Sequence, residues 1–160
     1  MKIERLLPDQ WQRYRKIRLS GLADAPDAFG STLAAETRLN PADWQQRLSD
    51  RSATFVAMAQ GGDIGVVSGA PWQGRAGVAG LFGMWTAPEA RGRGIGAALV
   101  RSVIDWARDT GFDRLVLDVA DQNVAGIALY RGAGFRSTGA TGALPPPRDH
   151  ITEHERELRL

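Results

Sequence analysis

The sequence predicts a single α/β domain built around a mixed sheet, and three observations predict it. Apolar runs rich in β-branched residues mix irregularly with helical patterns, in the order β, α, α, β, β, β, α, β, α, β, β. That order does not give an all-parallel sheet. The longest helical pattern, Gly94 to Asp109, has Ile95, Leu99, Ser102 and Trp106 on one face, with Val100, Val103 and Ala107 beside them. So wide an apolar stripe marks a helix lying on a sheet. Finally, no repeat or composition break divides the 160 residues, a length that suits one domain with a real core.

Lys2–Leu7 reads as a first strand ended by Pro8-Asp9. Trp11, Tyr14, Ile17, Arg18 and Leu22 recur at helical spacing, which predicts a helix over Asp9–Ala23. Asn40 before Pro41 reads as an N-cap followed by proline at the first helical position, opening a helix to about Ser49. Thr54–Ala59 and Ile64–Ala70 are strands joined by a hairpin turn at Gly61-Gly62-Asp63. Val78–Thr86 is a further strand, and the helix from Gly94 stops at Thr110-Gly111, where glycine supplies a left-handed cap. Leu115–Val119 is a buried strand, Asn123–Ala133 a short helix, and Phe135–Thr138 the start of another strand. Pro145-Pro146-Pro147 is a stiff connector, and Ile151–Leu160 is the last strand.

Composition narrows the chemistry. The chain has no cysteine, which excludes disulfides, thiolate metal sites and a cysteine nucleophile. His150 and His154, four apart on an extended segment, stand about 13 Å from each other, too far to share a metal. The formal net charge is only +2, with acidic and basic residues mixed and no basic block interleaved with aromatics. Nucleic acid is therefore not an expected partner. The charged start of the chain and the lack of a membrane-length apolar run point to a cytoplasmic location and no membrane partner.

The sharpest local signal is Arg91-Gly92-Arg93-Gly94-Ile95-Gly96-Ala97 between a strand and a helix. Glycines let a backbone approach a ligand closely, and N–H groups at a helix N-terminus cradle anions. Arg91 and Arg93 add forked donors suited to phosphate. No Gly-Lys-Ser/Thr follows, so this is not a P-loop, and the dinucleotide spacing of glycines is absent. On its own the turn fits a pyrophosphate cradle, and equally a plain strand-to-helix connection.

Downstream come Asn123, Ala125, Leu129, Tyr130, Gly134 and Phe135 in a strand–helix context. Together the two motifs resemble the GNAT superfamily of N-acetyltransferases, whose signatures are R/Q-x-x-G-x-G/A and, later, an asparagine, an alanine, L-Y and G-F. The match runs from about Met84 to Phe135. The resemblance implies a single-domain GNAT-like fold: a mixed, mostly antiparallel sheet with a splayed central strand pair and about four flanking helices. It implies acetyl-CoA as cosubstrate, an amine acceptor, and no metal. The backbone of Met84, Trp85 and Thr86 is expected along the pantetheine, with an N–H of this strand polarising the thioester carbonyl. Arg91 to Ala97 would hold the pyrophosphate, and Asn123 would bond the cofactor. Tyr130 would protonate the leaving thiolate, a role for which a phenol is chemically suited.

Asp118, twelve residues before Tyr130, stands where some family members carry a glutamate base. Glu36, Asp24, Asp27 and Glu89 are further acids for the acceptor side, each also readable as a solvated surface charge. The resemblance places acceptor choice in Ala25–Leu39 and Gly139–Asp149. Within the first, Pro26 to Thr32 is similar to a stretch in a group of bacterial members. Phe29 there is a candidate wall of the acceptor pocket or a core anchor, and Trp72 and Trp85 are candidates to line the cleft. Direct transfer to a small-molecule amine is the leading expectation. Protein N-terminal or lysine acetylation, and a silent CoA-binding domain, stay open. Family members are often dimers, so a homodimer is a further expectation.

Overall fold

The computed structural model of the protein describes residues 1–49 and 51–160. A seven-stranded sheet runs in the order β1-β2-β3-β4-β5-β7-β6. Its strands are β1 (Lys2–Arg5), β2 (Ala53–Ala59), β3 (Gly62–Pro71), β4 (Val78–Thr86), β5 (Arg114–Ala120), β6 (Arg136–Ala143) and β7 (Thr152–Arg159). All neighbours are antiparallel except β4 and β5. The helices are α1 (Trp11–Asp24), α2 (Leu33–Thr37), α3 (Pro41–Gln46), α4 (Ile95–Thr110) and α5 (Val124–Gly132). The mixed sheet agrees with the sequence expectation. Among the described residues there are five helices, where about four were expected.

The additional helix is α2. Five residues are too few to show a helical period, but Thr32 supplies an N-cap, its hydroxyl accepting from the Ala35 N–H at 3.2 Å. Elsewhere the local rules hold. Asn40 and Asp43 form a reciprocal capping box around Pro41. The helix predicted from Asp9 begins at Trp11, because Pro8–Gln10 forms a single 3-10 turn held by the Gln10 side chain.

α4 lies on one face of the sheet, against β2, β3 and β4, and its buried Leu99, Val100, Val103 and Ala107 form the centre of the core. α1 lies on the opposite face across β3 and β4, and α3 packs on α1 through an edge-on Tyr14–Trp44 pair at 5.5 Å. Leu115, Leu117 and Val119 of β5 join the core beneath α4. By strand alternation Val116, Asp118 and Ala120 face the other way, the side of α1.

Candidate active site

The site begins where the central pair parts. β4 and β5 are in parallel register only from Val78–Gly80 against Arg114–Val116. Past Gly80, β4 continues along β3, and β5 continues along β7 as far as Ala120. A gap therefore opens between Leu81–Thr86 and Leu117–Ala120. A bulge sits on β4 at the same place. Val66 pairs with Trp85 and Ser68 with Phe82, so β4 carries one more residue than β3 across that interval. Gly83 has φ +61°, a left-handed value that strains any residue with a Cβ, and the Arg18 guanidinium fills the space a Cβ would need. The extra residue leaves Gly83 and Met84 without register partners, at a point where β5 has already departed.

The glycine turn closes the cleft from the end of β4. Gly94 is the N-cap of α4 in the left-handed region (φ +77°), and no side chain caps the helix. The first-turn N–H groups thus lack a side-chain acceptor, and the helix dipole adds positive potential there. Gly92 shares the same φ, and neither glycine has a neighbouring atom within 4 Å of a would-be Cβ. On the expectation from the sequence that this turn cradles the CoA pyrophosphate, Gly94→Ala should weaken CoA binding about tenfold while the protein stays folded, because left-handed strain of about 1–2 kcal/mol falls on the turn. Titration calorimetry with CoA measures this; an unchanged affinity would remove the turn from the binding site.

Arg91 does not point outward as a free phosphate ligand. Its guanidinium donates to the Thr86 carbonyl at 3.0 Å and to Asp24 at 2.7 Å. The same Asp24 oxygen accepts from Trp85 Nε1 at 2.9 Å. Trp85 N–H bonding, with Arg91 in support, holds the Asp24 carboxyl below its ordinary pKa. Asp24 is therefore a bracket joining α1, β4 and the turn rather than a free acceptor-side acid. Sequence reasoning gave it no such role; the only hint was an acid at the end of an amphipathic helix.

Between these elements lies a cleft of about 680 Å³. β4 contributes Met84, Trp85 and Thr86, and the turn contributes Arg91, Gly92, Gly94, Ile95, Gly96 and Ala97. Asn123, Leu129 and Tyr130 form the far wall, and Asp24 to Ala28 the rim. The side chain of Ile95 is itself buried in the core. Arg93 is exposed on the turn and does not line the cleft. Asn123 caps α5, its Oδ1 accepting from the Gly126 N–H at 2.9 Å, which leaves its amide NH₂ for the cleft. Tyr130 is buried against Phe135, and burial alone pushes its phenol pKa well above the usual value. Its hydroxyl has no hydrogen-bond partner among the described residues.

Three other candidates lie away from the cleft walls. Asp118 is on β5 but faces the α1 side of the sheet, beside Glu155 and Arg75. Desolvation first, then repulsion from Glu155, raises its carboxyl pKa against the pull of Arg75. Phe29 is a core anchor rather than a pocket wall: its ring packs in the space left open at Gly21, beneath the Arg18 guanidinium at 4.8 Å. Glu36 is not solvated and does not line the cleft. It is 1% exposed, bound twice by Arg18 (3.0 and 2.9 Å) and once by Arg47 (2.7 Å). Burial would raise its pKa, but the bonds and charges of the two arginines outweigh this and hold it at about 2.

Trp72 stacks on Phe82 at 5.7 Å outside the cleft, while Trp85 lines it. His150 falls in the turn before β7, so the two histidines do not share a strand, and His154 pairs with Asp121. No group of residues able to hold a metal occurs among the described residues, nor any helix long and apolar enough to cross a membrane.

The same architecture occurs in solved structures. The ribosomal-protein-alanine N-acetyltransferase of Brucella melitensis superposes with TM-score 0.81 at 22% identity over 100% of both chains. YncA of Salmonella typhimurium, solved with its cofactor acetyl-CoA, superposes with TM-score 0.81 at 20% identity, over 100% of this chain and 94% of that one. At such identities the likeness speaks to the fold. In sequence, rat N-acetyltransferase 8B is 36% identical over 97 residues, 58% of this chain and 43% of that protein. Streptothricin acetyltransferase of Streptomyces lavendulae is 38% identical over 96 residues, 58% of this chain and 49% of that protein. The match thus spans less than half the length of these relatives. The profile of the acetyltransferase (GNAT) family matches residues 10–135, which takes in the split, the bulge, the glycine turn and Tyr130. The chain belongs to the acetyltransferase (GNAT) family.

Proposed function

We propose that this protein transfers the acetyl group of acetyl-CoA directly to a primary amine, with a small-molecule acceptor favoured. The observation that carries the reading is the coincidence of split, bulge and uncapped helix N-terminus along one cleft. The reading is supported by N–H donors without side-chain caps and open glycines suited to a pyrophosphate, and by a strand edge suited to a pantetheine amide. Acetyl-CoA supplies an activated carbonyl carbon. Backbone N–H at the Gly83–Met84 bulge stabilises the oxyanion that forms there.

The amine nitrogen attacks that carbon as the C–N bond forms and the C–S bond breaks. An ammonium loses one proton before attack and a second as the tetrahedral adduct collapses; one of the two ends on the CoA sulfur and the other in solvent. Asp118 takes protons from the nitrogen, directly or through water, and Tyr130 gives its O–H to the departing thiolate. They face opposite sides of the sheet, which suits an acceptor entering from the α1 side and a cofactor held on the α4 side. The streptothricin relative acts, by its name, on a small molecule, which supports the acceptor class.

Because the Asp118 pKa is raised, the acid limb of the pH–rate profile is displaced upward from an ordinary aspartate's: activity is lost as pH falls through the raised pKa and the base protonates. Asp118→Asn is expected to lower kcat/KM about a hundredfold near neutral pH and to abolish that limb. A full rate across pH in this variant would move base work elsewhere.

A further inference from the structure

We propose that Arg148 is the positioning residue for the acceptor side of the cleft, clasping the segment 26–31 to the connection between β6 and β7. This rests on the reading of the cleft as an acetyl-transfer site. The Arg148 guanidinium donates to four backbone carbonyls of one short segment. Nη1 bonds the carbonyls of Pro26 (2.7 Å) and Phe29 (2.9 Å), and Nη2 those of Gly30 (3.1 Å) and Ser31 (3.4 Å). The Asp27 carboxylate stands 3.8 Å away, and the arginine side chain is only 17% exposed. A planar, permanently charged fork is the one side chain that can serve so many acceptors at once.

Each end of this clasp is mounted on something firm. On the arginine side, the Arg148 N–H bonds Pro145 O and the Ile151 N–H bonds Arg148 O, between Leu144 and Ile151, which pack with Ala120 in a small core of their own. On the other side, Phe29 pins the segment from beneath, and its neighbours Ala25 to Ala28 form the rim of the cleft. Beyond a single 3-10 turn the segment has little backbone bonding of its own. Its upstream end is already fixed by Asp24, which binds Trp85 and Arg91. Loss of Arg148 therefore frees the rim downstream of Asp24 and leaves the cofactor turn in place. The clasp sets the wall against which the amine is held and contributes nothing to acetyl-CoA affinity.

The test uses R148A and R148K with the amine that supports the fastest thiol release among spermidine, an aminoglycoside, free amino acids and short peptides. The expected result is a rise of about tenfold in amine KM for R148A and a smaller rise for R148K, with the acetyl-CoA KM within about twofold of wild type. Hydrogen exchange over 26–31 rises in step, while exchange over 91–97 does not change. If R148A fails to fold, R148K decides by the same readouts. An unchanged amine KM, or an acetyl-CoA KM that rises in parallel, overturns the proposal while wild-type turnover leaves the acetyl-transfer reading intact. A wild type that binds CoA and acetylates none of the amines overturns that reading and the clasp with it.

Discussion

Replacing Tyr130 with phenylalanine is expected to lower kcat about a hundredfold or more while leaving acetyl-CoA affinity within about twofold of wild type. The substitution removes one oxygen and keeps the ring that packs on Phe135, so the wall of the cleft survives. What is lost is a donor that burial keeps protonated: with its pKa raised by desolvation alone, the phenol keeps its O–H at every working pH and would be ready for the departing sulfur of the proposed reaction. A thiol ionises near pH ~8.5, so the departing group carries full negative charge until a donor meets it. The same burial means that wild-type activity shows no alkaline loss assignable to Tyr130 below the upper limit of the assay. Steady-state kinetics with a CoA binding isotherm check both halves. An unchanged kcat would take Tyr130 out of the mechanism.

Glu36→Ala is expected to be the most damaging change to the fold, costing about 3–5 kcal/mol, because it leaves Arg18 and Arg47 without the carboxylate that compensates them. For a chain of this size that lowers Tm by roughly 10 °C. The effect reaches the site, since the Arg18 side chain fills the space at the Gly83 bulge. The group also gives stability a sign with pH. Its folded pKa of about 2 lies below the unfolded value near ~4.3, so its contribution is complete above the unfolded value and is lost as pH falls towards 2. Thermal melts of wild type and variant across this range check the assignment. Their difference narrows with acidification; a constant difference would contradict it.

Much of the site could be read from the sequence because it is built from backbone. A glycine turn before an amphipathic helix predicts an anion cradle whatever the side chains do, and Gly92 and Gly94 adopt the left-handed values such a turn needs. Asn123 and Tyr130 were singled out by the family resemblance, and both line the cleft because one short helix carries them. Glu36 was not placed correctly, because its position depends on Arg18 and Arg47, which lie in other helices or past them; for Phe29 the core reading is the one the packing at Gly21 and Arg18 supports. An acid in a polar stretch looks solvated until the arginines that bury it are known. The Asp24 bracket and the Arg148 clasp escaped for the same reason, since they join residues 61 to 122 apart. The short helix α2 left only its Thr32 cap as a signal.

The proposed reaction is acetyl transfer from a cofactor seated in the split between β4 and β5 to an amine entering from the α1 side. The most direct measurement incubates the purified protein with acetyl-CoA and each of the amines named above, following free thiol and the mass of the amine together. The expected result is thiol release that requires an amine, one acetylated amine for each CoA released, and no acetylated protein accumulating. CoA binding without thiol release on any amine, or a burst of thiol before amine is added, would contradict it.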